Sequence, residues 1–161
     1  MNKTIVILHR EAQQPELPDS FFSGPLADTS KIYFNFAAMS FEQALRQLDE
    51  LLLDNGWSHL IGYKDGCAVA LEYLKRNPTH SILKLVLISP LINADLNHEA
   101  LLNVLRLPIL NVVDSSIEDS TTIKGRNVRT IDIPGASEFP IVPPSVQDTF
   151  KQAIQSHLGS L

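Results

Sequence analysis

From His59 to Leu74 an apolar strand, Leu60-Ile61-Gly62-Tyr63, runs straight through Lys64-Asp65-Gly66 into an amphipathic helical pattern. Gly62 and Gly66 frame the junction, and two glycines there let the backbone turn sharply and pass close to its neighbours. A strand that empties into a helix leaves the sheet and returns as a parallel strand. One such junction therefore already points to layered α/β architecture.

The rest of the chain repeats the alternation. Residues 4–8, 31–36, 58–63, 82–88, 107–113 and 128–133 read as strands. Several of these are β-branched and aliphatic without polar alternation, as strands buried on both faces are. Helices are expected from Phe41, capped by Ser40 and closed by Asn55-Gly56, and from Asp65 or Gly66 to Arg76, stopped by Asn77-Pro78. A short helix is expected over 97–105, and a last one from a Ser145 cap to about His157. Residues 13–28, with Pro15, Pro18, Gly24 and Pro25, read as irregular chain tacked to the core by Phe21 and Phe22. The expectation is one domain over residues 1–161: a doubly wound, mostly parallel sheet of about six strands with helices on both faces, a three-layer sandwich. Right-handed crossovers put the loops after the strands along one carboxyl edge, where such sheets hold ligands.

Composition narrows the partners. A net charge of -5 supplies no basic face for nucleic acid or anionic membrane. Cys67 is the single cysteine, so no intrachain disulfide forms, and no His/Cys set has zinc spacing. Neither a metal nor another cofactor is expected. The apolar run at residues 4–8 is far shorter than a signal-peptide core, and no run approaches the roughly 20 residues of a membrane span. A cytoplasmic location fits these features.

The spacing Gly62-x-x-x-Gly66 is that of the G-x-S-x-G nucleophile elbow, with Lys64 in place of the serine. Lysine is protonated at neutral pH unless its pKa is strongly depressed, so it cannot act as an activated serine does. Asp65 is one position too late to replace the serine, and Cys67 reads as a thiol packed beneath the helix. Two glycines alone would also fit an ordinary tight turn.

Three matches in chain order make the sequence resemble the α/β-hydrolase superfamily, particularly its small, cap-free serine hydrolases. Residues 60–70 look like its strand, elbow and helix start, residues 107–113 like the strand before its acidic residue, and residues 133–139 like the loop that carries its histidine. The resemblance puts Lys64 at the nucleophile, Glu138 at the histidine, and Ile117 at the acid, with Glu118 and Asp119 next to it and Asp114 before it. After strand one, His9-Arg10 stands where the family often has His-Gly.

A triad needs a nucleophile, a base in hydrogen-bond reach and an orienting acid. With a degenerate triad the resemblance implies a catalytically silent relative that works as a binding or complex subunit. Its partner would be a protein or small ligand at the carboxyl edge, at His9, Arg10, Tyr63, Lys64, Asp65, Ser89 and Glu138. A Lys64–Glu138 ion pair would replace the Ser-His hydrogen bond, and a homodimer is left open. The alternative is an active carboxylic-ester or thioester hydrolase with a relocated nucleophile.

Overall fold

The computed structural model describes residues 4–10, 24–90, 106–114, 125–136 and 144–159. Six strands form one sheet: β1 (Thr4–His9), β2 (Ser30–Asn35), β3 (Ser58–Tyr63), β4 (Ile82–Ile88), β5 (Ile109–Val113) and β6 (Val128–Asp132), in the order β2-β1-β3-β4-β5-β6. All five pairings are parallel. The chain leaves β1 in one direction to make β2 and comes back to the other side of β1 for β3. The topological switch point therefore lies between the carboxyl ends of β1 and β3.

Alternation along the strands divides the core into two layers. Val6, Leu8, Leu60, Leu85 and Leu87 face α1 (Phe41–Asn55) and α2 (Gly66–Arg76), which contribute Leu45, Leu48, Leu52, Val69, Leu71 and Leu74. Ile5, Ile7, Ile61, Val86, Ile88, Leu110 and Val112 face α3 (Pro144–Gly159) through Phe150, Ile154 and Leu158. Each fully buried aliphatic or aromatic side chain contributes about 1.5–3 kcal/mol. The central strands are buried along nearly their whole length, as unalternating apolar runs require.

Local sequence sets the ends of these elements. Ser40 and Gln43 form a reciprocal capping box at α1: the Gln43 amide donates to Ser40 Oγ at 3.2 Å, and the Ser40 amide donates to Gln43 Oε1 at 2.9 Å. Gly56, at φ 69°, ends the helix.

Some boundaries differ from the sequence expectation. Strand β5 begins at Ile109 rather than Leu107, because Pro108 has no amide to donate to the ladder. Helix α3 begins at Pro144, one residue before Ser145, and proline suits a first helical turn, where amides lack partners. At the end of the irregular stretch a 3-10 turn, Gly24–Leu26, brings Leu26 into the second core layer, an anchor the sequence reading did not single out. Phe21, Phe22 and the helix expected over 97–105 lie outside the described residues. Among the described residues no helix is long and apolar enough to cross a membrane.

Candidate functional site

The junction after β3 is a strained strand-to-helix turn. Lys64 sits at φ 52°, a left-handed conformation that costs a residue with a side chain roughly 1–2 kcal/mol. Hydrogen bonds on both sides hold it there. The Lys64 amide donates to the Ile88 carbonyl at 2.9 Å, and the Lys64 carbonyl accepts from Cys67 N at 3.0 Å. The glycines make the close approach possible. A Cβ on Gly62 would stand 2.9 Å from Cys67 Cα, and one on Gly66 would overlap the Leu8 carbonyl. The elbow is thus pressed against the end of β1, at the switch point.

The Lys64 ammonium lies 5.3 Å from the centroid of the buried Tyr63 ring, a cation–π contact worth about 0.5–1 kcal/mol. Across the switch point, Arg10 Nη1 stands 3.7 Å from Asp65 Oδ2. Both side chains are exposed, so the pair contributes at most about 1 kcal/mol while spanning the mouth of the crevice. Asp65 makes no side-chain cap to α2; its carbonyl accepts from Ala68 N at 3.1 Å. Its carboxylate serves Arg10 and the positive end of the helix.

His9 is buried at the end of β1, and its ring meets Tyr33 edge-on at 6.4 Å between centroids. It lies beneath the edge rather than open to it. Cys67 is fully buried, with Sγ donating to the Gly62 carbonyl at 3.3 Å. Burial pushes its thiol well above the ordinary range, and the nearby Asp65 charge adds to the rise. A protonated thiol under a helix is a packing group, without thiolate reactivity.

Beside the elbow, Ser89 is the second non-glycine residue at positive φ, 47°, and its amide donates to the Val112 carbonyl at 2.8 Å. Two neighbouring strands therefore both end in left-handed residues at this edge, a clustering associated with functional sites. At the end of β5, Asp114 is buried and its Oδ1 accepts from the Gly135 amide at 3.0 Å, tying the β5 loop to the β6 loop.

The structure thus brings His9, Arg10, Tyr63, Lys64, Asp65 and Ser89 to one edge. Glu138, and with it the Lys64–Glu138 pair, lies outside the described residues, as do Ile117, Glu118 and Asp119. Sequence reasoning missed the Arg10–Asp65 bridge and the Asp114 tie. The tie had a signal, since Asp114 is a charged residue placed immediately after a buried strand; the bridge had none until the strand order put β1 beside β3. Of the described histidines His9 alone is at this edge; His157, at the far end of α3, turns its Nε2 to the Leu85 carbonyl at 3.0 Å. Among the described residues no group of three or more His, Cys, Asp and Glu could hold a metal ion.

No family model and no curated protein matches the sequence. Solved structures do match in shape. Est1E from Butyrivibrio proteoclasticus superposes with a TM-score of 0.70 at 9% identity, over 98% of this chain and 89% of that one. The esterase RhEst1 from Rhodococcus sp. ECU1013 gives 0.70 at 13% identity, over 97% and 91%. A monoacylglycerol lipase from Paleococcus ferrophilus gives 0.66 at 12% identity, over 95% and 94%. At such identities the likeness is one of fold.

Proposed function

Taking the α/β-hydrolase fold of the chain as premise, we propose that it is a catalytically silent member of that architecture, a cytoplasmic binding or complex subunit. It engages a protein or small ligand at the carboxyl edge of its sheet. One observation carries the reading: the elbow keeps its strained φ of 52° and both of its tight glycines, but presents an ammonium there. A protonated amine has no lone pair with which to attack an acyl carbon. Cys67 cannot substitute, because it is buried, protonated and hydrogen-bonded to the Gly62 carbonyl. The elbow's strain is then spent on holding Lys64 beside Tyr63 at the switch point, where a carboxylate or a protein surface of negative charge would meet it.

A second reading is favoured by one residue. Ser89 is also held at positive φ, one strand away, and offers a hydroxyl to a hydrolase with a relocated nucleophile. A fluorophosphonate probe followed by peptide mass spectrometry separates the two. The silent reading expects no labelled peptide from the folded chain. A label on Ser89, abolished in Ser89→Ala, overturns it and assigns the nucleophile.

A further inference from the structure

At the opposite, amino edge of the sheet a groove of about 570 Å³ opens between the start of β3, the end of α2 and the starts of β4 and β5. Trp57, Pro78, Leu83 and Pro108 supply its accessible apolar surface, and Lys75 and Arg106 stand on its rim. Among the described residues no acidic side chain lines it, although the chain carries a net charge of -5. Neither cation has an ion-pair partner among the described residues. The adjacent Arg76, by contrast, is held by Glu42 at 2.7 and 2.9 Å and by Glu72 at 2.9 Å. His80 adds no charge at neutral pH, since its Nδ1 accepts the Ile82 amide and burial lowers its pKa. Trp57 is 58% exposed, an unusual position for an indole.

We propose that this groove is a binding site for an amphipathic carboxylate, its alkyl or aryl body lying on Trp57, Pro78, Leu83 and Pro108 and its anionic head between Lys75 and Arg106. The volume is that of a small-ligand pocket, and an apolar lining with a few convergent charges is the usual composition of one. The site lies across the sheet from the elbow and is independent of whether the elbow is catalytic.

Trp57 is the single tryptophan and reports on its own site. The full chain is titrated with decanoate below its micelle concentration, with decan-1-ol and decyltrimethylammonium in parallel, following tryptophan emission. A saturable blue shift with decanoate is expected. Binding should be about tenfold weaker for decanol and for the Lys75→Glu/Arg106→Glu double variant, the scale of one lost charge contact. Arg46→Gln, at an exposed cation outside the lining of the groove, should bind as the parent does. Both reversals are at exposed positions, and Lys75→Gln and Arg106→Gln singly should give graded losses if the double variant folds poorly. A response that does not saturate, that decanol reproduces at equal concentration, or that survives removal of both charges overturns the proposal. So does a loss of binding in Arg46→Gln.

Discussion

Gly66→Ala tests the packing of the elbow through the sign of its effect. In a helix, alanine is ordinarily favoured over glycine by about 0.5–1 kcal/mol, and the φ of Gly66 is not among the positive ones. On conformation alone the variant should therefore be more stable. The structure requires the reverse. The new methyl would stand 2.9 Å from the Leu8 carbonyl carbon and 3.1 Å from Leu8 Cβ, and closer still to the Leu8 oxygen. Leu8 cannot withdraw, because β1 is paired at that register with Phe34 on one side and Gly62 on the other. Overpacking costs about 1–3 kcal/mol and reaches the upper end where the obstacle is backbone. The net expectation is a loss of about 2 kcal/mol, or a fall in Tm of roughly 4–8 °C for a chain of this size. Thermal unfolding followed by circular dichroism measures it. A Tm equal to or above that of the parent would mean that the helix does not start against β1, and the account of the elbow would fail.

Other consequences are as specific. Lys64→Val should be less stable than Lys64→Asn by about 1–2 kcal/mol in urea unfolding, because asparagine tolerates the left-handed region and a β-branched residue does not. Burial lowers the His157 pKa from 6.5 to about 4, so between those values the unfolded chain takes up a proton that the native state excludes. Stability should accordingly hold above pH 6.5 and fall as the pH drops towards 4, by up to about 3 kcal/mol, and His157→Gln should flatten the slope. The Cys67 thiol should react with iodoacetamide only on unfolding, at a native rate less than about a hundredth of that of free cysteine.

How much of this could be read from the sequence varied with how local the cause was. The α1 cap at Ser40, the end of α1 at Gly56 and the span of β3 follow from side chains within a few residues, and they stood in the sequence plainly. So did the parallel sheet, since unalternating runs such as 82–88 need helices on both faces. The part of Leu26 in the core was not legible, because which apolar residue of an irregular stretch reaches the core depends on where α3 passes. At the edge, Lys64 could be placed from its glycines alone. The positive φ of Ser89 could not, since the residue before a proline ordinarily prefers extended backbone and only the neighbouring strand ends hold it otherwise. The Arg10–Asp65 bridge needed the strand order, which puts β1 beside β3.

The central claim is that an elbow built around an ammonium performs no acyl transfer. The most direct measurement is hydrolysis of short-chain p-nitrophenyl esters and acyl thioesters by the purified chain, with Lys64→Ala beside it. The account predicts that both proteins leave the rate at that of buffer. Turnover by the parent that Lys64→Ala abolishes would contradict it, and would make Lys64 a catalytic residue.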